Sequence, residues 1–404
     1  TYGGDGVMGV YAGPSNFLNV GADPSLVLNF ATKKSLNDLV SGNNLITFTR
    51  SSTATYVDED GLIKTAAADE ARFDYDPTTG ESLGLLIEES RTNYISNESV
   101  TFSLGDDQTT VTPNAFTAPD GSNTAIRIQA SNSFVNIVGG RGSVPAGSTL
   151  TASFYVYSAV EIPTCRSRVT YGSGSFDTIK TIPAGKWTRF VCDAIVDDTG
   201  SDTNFSWRPL TAINSFGVLS IDCYIWGFQV EASSFPTSYI PTSGSTVTRQ
   251  PDNAQITGTN FTDWYNSSEG TIFTESNIYS LENLQNFTEF QIDDGTQTNR
   301  IFHYLARSND SAKFQAWGID VGVQDNSAIA NTDLKHASSY NSSSYITCLN
   351  SSLSSTGTTG TQVALNEAHI GWNHSGNYLN GHIKQLIYYP ARISDIKLEQ
   401  MTKN

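Results

Sequence analysis

Two carboxylates in the C-terminal half of the chain have a spacing that could support acid–base chemistry. Glu289 and Asp293 are four residues apart in a strand-like segment, so regular alternation would place both side chains on one face. Glycoside hydrolases use such a pair as nucleophile and acid, usually within a closely spaced set such as Glu-x-Asp-x-Glu. Here no third carboxylate supports the pair, and Asp293-Asp294-Gly295 is typical of a turn that ends a strand. We therefore predict that the chain is not an enzyme.

The same region offers oxygen ligands for a hard cation. Asp293, Asp294 and Asp320 are the candidate calcium ligands, because calcium takes loop carboxylates and carbonyls, although no EF-hand spacing is present. The alternative is that they are solvated aspartates in turns. No His-x-x-x-His spacing or paired acid favours zinc at the five histidines, which are His303, His336, His369, His374 and His382. No other cofactor is predicted.

Three tryptophans stand beside polar residues in the manner of a sugar-binding site. A sugar packs on an exposed aromatic face, while amides, carboxylates and guanidinium groups bond its hydroxyls. Trp207 is the leading candidate because its neighbours on both sides are polar, and Trp317 and Trp372 are the others. The polar partners predicted for Trp207 are Asp202, Asn204 and Arg208. The alternative for each ring is a place in a hydrophobic core, which is our interpretation of Trp226 in its apolar run.

A charged group follows the apolar run at residues 83–87. Glu88, Glu89 and Arg91 have the residue types of a catalytic group, but a guanidinium opposite a carboxylate also fixes packing geometry. We interpret them as structural ion pairs, buried within the chain or placed between subunits. Arg50 and Arg72 are assigned to the same role.

Composition narrows the classes of function. The 404 residues carry a formal net charge of −17, which would repel a phosphate backbone, so we predict no nucleic-acid partner. There is no apolar run of membrane-spanning length, and no membrane insertion is predicted. The four cysteines have no Cys-x-x-Cys spacing and are predicted to be buried free thiols, which fits a reducing cytoplasm.

Short strands separated by turns must position these residues. Apolar and polar side chains alternate over residues 149–158, which predicts a half-buried antiparallel strand. Residues 218–230 are apolar on both faces and are predicted to be a central strand covered on both sides. We predict a mainly β protein with an irregular N-terminal attachment and oligomerisation region, 1–95, and two antiparallel β-sandwiches, 96–248 (jelly roll) and 249–404.

A family resemblance rests on the segment at residues 43–93, called the signature segment below. It contains ITFTRSSTATYVD, GLIKTA and ARFDYDPTTGESLGLLIEESRTN, and the chain continues with YIPTSGSTVTR at 239–249 and FTDWYNSSEGTIF at 261–273. These motifs resemble bacteriophage fibre and related virion structural proteins. The end of the chain, from Asn380 to Asp395, is similar to the last strand and short helix of concanavalin-A-like or laminin-G-like lectin domains.

The resemblance implies a fibre or spike subunit of a phage virion, assembled in the bacterial host cytoplasm. Its implied partners are two further copies in a homotrimer, other virion structural proteins, and host surface glycans bound by the lectin-like domains. Two alternatives remain open at this stage. One is a capsid decoration or tail-structural protein that binds no receptor, and the other is a carbohydrate-active enzyme in which the sandwiches are accessory modules.

Overall fold

The fold is built from short antiparallel strands. The computed structural model describes residues 20–96, 109–131, 140–171, 174–196, 203–208, 220–279, 286–306, 311–316, 319–324, 332–358 and 363–403. Among them the helices are α1 (Phe30–Lys33), α2 (Thr259–Thr262) and α3 (Asp395–Met401). None of these helices has the length and apolar character needed to cross a membrane. The predicted mainly β, antiparallel fold class is confirmed.

Two large sheets face each other in the C-terminal sandwich. The first has eight strands, which are β1 (Leu26–Asn29), β5 (Phe73–Tyr75), β6 (Ser82–Ile87), β20 (Gly270–Ile278), β25 (Leu334–Tyr340), β26 (Tyr345–Leu349), β27 (Ser352–Leu353) and β29 (Gly381–Tyr389). The second has seven strands in the order β2 (Thr47–Thr49), β19 (Asn253–Thr257), β28 (Glu367–Ile370), β21 (Phe287–Asp293), β22 (Arg300–Ala306), β23 (Ser311–Ala316) and β24 (Ile319–Gln324). Apolar side chains from both sheets form one buried core between them.

A second sandwich lies between these strands in the sequence, and we call it the middle sandwich. Its six-stranded sheet contains β8 (Thr109–Phe116), β9 (Ala125–Ser131), β11 (Thr149–Tyr157), β14 (Thr188–Val191), β15 (Ile195–Val196) and β17 (Ser220–Glu231). Its four-stranded sheet has the order β10 (Gly140–Val144), β16 (Thr203–Arg208), β12 (Ile162–Tyr171) and β13 (Gly174–Ile182). Phe154 and Phe190 of the first sheet share a core with Val169 of the second. All four cysteines are buried free thiols.

Two small ladders join the sandwiches. Strand β7 (Arg91–Asn93) pairs with β18 (Val247–Arg249), so the chain enters and leaves the middle sandwich at one place. The hairpin of β3 (Ala54–Val57) and β4 (Ile63–Ala66) belongs to the signature segment. The middle sandwich is therefore an insertion in a chain whose two ends fold together.

This arrangement corrects the expectation of a separate N-terminal region that packs against neighbouring chains. Strands β1 and β6 pair with β29, and β2 pairs with β19, so described residues before 95 complete both C-terminal sheets. Leu85 and Ile87 are fully buried within the single chain. Because strands from the far end of the sequence cover them, a neighbouring subunit is not needed for their burial.

Candidate functional site

Strand β17 presents aromatic rings on the side of its sheet that faces away from the core. Cys223 and Ile225 belong to the core, and alternation places Tyr224 and Trp226 on the other face. Gly227 then interrupts the register with β11, and its φ of +66° is a conformation that favours glycine. The bulge returns Phe228 to the core face, whereas simple alternation would have grouped it with Trp226.

The rings around Tyr224 and Trp226 form a continuous patch that we call the aromatic face. Phe116 stacks on Tyr224 with centroids 4.4 Å apart, and Trp226 lies 5.7 Å from Tyr155 and 4.6 Å from Tyr239. The half-buried members of the patch are Phe116, Tyr155, Tyr157, Trp187 and Tyr224. The expectation of a central strand is confirmed, and residues 225–231 are buried on both faces of β17, but Asp222 and Tyr224 leave its first part partly open.

A pocket of about 500 Å³ opens where the β3–β4 hairpin meets the aromatic face. The pocket is lined by Thr55 and Thr65, which pair across the hairpin, and by the rings of Trp226 and Tyr239. Its remaining lining residues are Ile63, Asp120, Ser122, Thr124, Ile126, Ile225, Gly227, Phe228 and Pro241. Hydroxyl groups, one carboxylate and two large rings thus converge on a cavity of the size that small ligands occupy.

Hydrogen bonds fix the polar wall of this pocket. The Ser122 backbone N–H and hydroxyl donate to Asp120 Oδ1 at 2.9 and 2.6 Å. The indole Nε1 of Trp226 donates to Thr124 Oγ1 at 3.0 Å, which fixes the ring plane. Thr124 Oγ1 also lies 2.6 Å from Ser122 Oγ, so the Asp120 carboxylate is the group of this wall with the most acceptor capacity left for a ligand hydroxyl.

A buried ionic network positions the hairpin that closes the pocket. Arg72 contacts Glu88 at 2.8 Å and also pairs with Asp252, while its Nη1 donates to the Thr55 carbonyl at 2.8 Å. Arg249 pairs with the same Glu88 carboxylate. Burial alone would raise the pKa of Glu88, but Arg249 and Arg72, with Ser238, lower it to about 2. The carboxylate is therefore ionised and holds the signature segment against residues 238–252.

The structure also places the other ion-pair residues. Glu89 and Arg91 pair with each other near the surface. Arg50 Nη1 lies 2.9 Å from Asp252 Oδ1, in the same buried network as Arg72. All of these pairs form within one chain.

The carboxylates considered for glycoside hydrolysis do not form a pair. A register shift between Thr288 and Phe290 turns Glu289 into the space between the two sheets, whereas Asp293 stays on the outer face of β21. Glu289 Oε2 lies 2.5 Å from His336 Nδ1, and its other oxygen accepts hydrogen bonds from the hydroxyls of Thr274 and Ser276. The bulge is the physical reason that four-residue spacing fails to place the two carboxylates together.

We call Glu289, His303 and His336 the inner cluster. The two imidazoles stack 3.6 Å apart, and each residue is completely buried. His303 Nδ1 lies 2.9 Å from the Ser338 hydroxyl, and its Nε2 lies 3.0 Å from the Thr274 hydroxyl. Burial, together with the neighbouring His336, holds the pKa of His303 well below its ordinary value. Every member of the inner cluster has a protein partner and no access to solvent.

The predicted calcium ligands are dispersed. Asp293 is buried beside His369, His374 and Glu367, a group that we call the outer cluster. Asp294 instead accepts hydrogen bonds from Thr296 and Asn299 within its own turn. The backbone of Asp320 is on β24, three strands away from β21, so these three aspartates do not converge on one ion.

The predicted sugar-binding tryptophans occupy separate places. Asn204, Trp207 and Arg208 lie on β16, where Trp207 pairs in register with Val169 and Gly140. Trp372 is half-buried, with its Nε1 donating to the Ala254 carbonyl at 2.9 Å and its ring 4.5 Å from His369. Asp202 and Trp317 lie outside the described residues.

Sequence reasoning correctly placed Trp226 in a hydrophobic cluster, but it missed the aromatic face that this cluster borders and the pocket beside it. The available signal was the alternation of rings along two segments, at Tyr155 and Tyr157 and at Tyr224 and Trp226. Two features determine which side of each strand is open. They are the pairing of β11 with β17 and the β3–β4 hairpin, which covers only part of the aromatic face.

Comparison with known proteins identifies distant structural likenesses. No family model and no curated protein matches the chain. The sialidase CBM40 of Ruminococcus gnavus bound to α2,3-sialyllactose is 15% identical with a TM-score of 0.30, and the match covers 34% of this chain and 83% of that one. Mouse laminin α1 domains LG4-5 are 10% identical with a TM-score of 0.26, covering 62% and 88%. The CBM22 tandem of Paenibacillus barcinonensis Xyn10C is 7% identical with a TM-score of 0.25, covering 75% and 98%. Scores this low carry no argument about function.

Proposed function

We propose that this protein is a non-enzymatic, glycan-binding structural subunit of a phage virion, in a fibre or spike. The observation that carries the binding function is the pocket of about 500 Å³ beside the aromatic face. A sugar ring packs its C–H groups against aromatic carbon, while hydroxyls and carboxylates accept and donate hydrogen bonds at its edge. Trp226 and Tyr239 are largely buried, with exposed fractions of 9% and 6%, and the part of each ring that remains open lines the pocket beside the polar groups of Asp120, Ser122 and Thr124.

The lining also favours one class of glycan. The described lining residues include the carboxylate of Asp120 but no lysine or arginine. A carboxylate without a compensating cation repels an anionic sugar and accepts hydrogen bonds from hydroxyl or ammonium groups. The proposed ligand is therefore a neutral or amino sugar of the bacterial surface.

The virion assignment and the trimer rest on the resemblance of the signature segment to phage structural proteins. One surface feature is compatible with contacts between copies. Val160, Phe176 and Ile179 are large apolar side chains with exposed fractions of 68%, 46% and 50%, and the last two lie on the edge strand β13. Exposed apolar groups on an edge strand favour pairing with another chain. Light scattering of the purified full chain would measure its oligomeric state, with three copies expected.

Glycan binding is tested by filling the pocket without disturbing the core. Thr65 is exposed at the pocket rim, so Thr65→Trp places a large ring across the cavity. Thr53→Trp adds the same ring at an exposed position of the same segment outside the lining and is the matched control. We expect Thr65→Trp to weaken binding to an array of bacterial surface glycans about tenfold or more, equivalent to roughly 1.4 kcal/mol, and Thr53→Trp to bind like wild type.

Circular dichroism of both variants serves as the folding control. Equal binding by the two folded variants would move the site away from the pocket. A wild-type protein that binds no bacterial glycan would favour the capsid decoration or tail-structural role. Release of reducing ends from the bound polysaccharide would favour the carbohydrate-active enzyme.

A further inference from the structure

The outer cluster brings four potential metal ligands together at one edge of the C-terminal sandwich. Asp293 ends β21, and Glu367 and His369 are alternate residues of the neighbouring β28, so all three lie on the same sheet face. His374 follows after a tight reversal, in which Gly371 has a φ of +75°. One ligand atom from each residue lies within 4.8 Å of every other.

His369 makes no hydrogen bond of normal geometry among the described residues, although its Nε2 lies near the Asp293 carboxylate. The residue is completely buried. Its Nε2 points between two carboxylates, 3.3 Å from Asp293 Oδ2 and 3.5 Å from Glu367 Oε1. Buried polar groups in folded proteins are almost always paired, and an unpaired one is costly. Both carboxylates already have partners, since Asp293 accepts hydrogen bonds from Gln291 and Gly295 and Glu367 Oε1 lies 3.1 Å from His374 Nε2. A cation between these atoms would give the buried His369 nitrogen the partner that it lacks.

The distances agree with a tetrahedral ion. His374 Nε2 lies 3.1 Å from Glu367 Oε1 and 3.6 Å from Asp293 Oδ1. Ligands about 2.0–2.2 Å from a tetrahedral zinc ion are separated from each other by roughly 3.3–3.6 Å. The four nitrogen–oxygen contacts of the cluster span 3.1–3.6 Å, which is close to that separation, with Asp293 offering Oδ2 to His369 and Oδ1 to His374.

The ligand types discriminate between metals. Calcium takes six to eight oxygen ligands, whereas imidazole nitrogen with carboxylate oxygen suits zinc and neighbouring transition ions. The two carboxylates give the cluster a negative charge that a divalent cation would neutralise. His374 is 35% exposed in its side chain, so the cluster is accessible from solvent.

We propose that Asp293, Glu367, His369 and His374 form a structural zinc site that fastens β21, β28 and the following loop. The site differs from the calcium site expected from the aspartates, because it shares only Asp293 with that set. It also differs from the inner cluster, whose histidines already have hydroxyl and carboxylate partners. The loop held by His374 also contains Trp372, whose ring contacts both histidines of the site.

The test titrates Zn²⁺ into full-length protein that has been stripped with chelator and dialysed. Calorimetry and elemental analysis measure affinity and stoichiometry, and we expect one zinc per chain with a higher melting temperature. His374→Ala removes an accessible ligand and His369→Gln a buried one, and each is expected to weaken binding about 100-fold or more. Asp294→Asn is the matched control, because this neighbouring carboxylate is engaged with Thr296 and Asn299, and it should bind zinc like wild type.

Three outcomes would overturn the proposal. The first is the absence of stoichiometric zinc binding by the wild-type chain. The second is unchanged zinc affinity in His374→Ala, the variant least expected to disturb folding. The third is stoichiometric calcium binding that Asp294→Asn abolishes, which would restore the site expected from the aspartates.

Discussion

Polar side chains differ in burial and in hydrogen-bond partners between the inner cluster and the pocket beside the aromatic face. In the inner cluster, Glu289, His303 and His336 are completely buried, and each contacts protein partners at hydrogen-bonding distance. In the pocket, Asp120 and Thr124 stand at the wall of an open cavity beside two rings. Both regions lie on antiparallel sheets, so the sheet itself does not determine the role. In a structural cluster, the hydrogen bonds of the polar groups are satisfied within the chain and solvent does not reach these groups. In a binding site, the polar groups are open to solvent and keep hydrogen-bonding capacity for a ligand.

The largest expected effect is on stability, from removal of the inner carboxylate. Glu289→Ala leaves two hydroxyls and a buried histidine without their acceptor and should lower the free energy of unfolding of the C-terminal sandwich by roughly 3–5 kcal/mol. Hydrogen exchange of peptides from β20, β21 and β25 across a urea series would measure this change. Thr65→Trp is the comparison and should stay within about 0.5 kcal/mol, because that position is exposed. If Glu289→Ala and Thr65→Trp lowered the free energy of unfolding equally, the inner cluster and the pocket would not differ in their contribution to stability.

A smaller effect is expected from pH. The pKa of His303 is held well below its ordinary value by burial and by His336, while in the unfolded chain it is about 6.5. Below that pH the unfolded chain binds a proton that the folded chain does not, so the free energy of unfolding falls as pH is lowered. The contribution of this one group has a slope of at most about 1.4 kcal/mol per pH unit.

The control for this pH dependence is His303→Gln, which keeps a polar side chain near Thr274 and Ser338 but does not titrate. Glu289 and His336 also face this ring, so the measurement is the difference between wild type and variant from pH 7.5 to 5.0. A wild-type protein with the same acid sensitivity as His303→Gln would show that His303 does not supply it.

The fold was more predictable from the sequence than the site. Alternation over residues 149–158 predicted a strand, and β11 occupies Thr149–Tyr157. Local alternation cannot reveal a bulge, however, and bulges decided two assignments. One separated Glu289 from Asp293, and the other, at Gly227, separated Trp226 from Phe228. The outer cluster was equally hidden, because Asp293 lies 74 residues before Glu367 in the sequence and meets Glu367, His369 and His374 only through the pairing of β21 with β28.

The burial of the signature segment shows the same limit. The apolar run at residues 83–87 correctly predicts buried side chains, but the adjacent sequence does not indicate which residues pack against them. Its sheet neighbour β29 begins about 300 residues later, and the core that buries Leu85 and Ile87 includes residues of the facing sheet, so both were visible only in the structure. Long-range pairing is the part of a β fold that residue patterns specify least.

The most direct test of the central claim is a crystal structure of the full chain with a neutral or amino sugar that it binds. We expect the sugar ring to lie against Trp226 and Tyr239, with its hydroxyls bonded to Asp120 or Thr124. A sugar bound instead at Trp207 of β16 or at Trp372 would contradict the pocket assignment and favour the tryptophans chosen from the sequence.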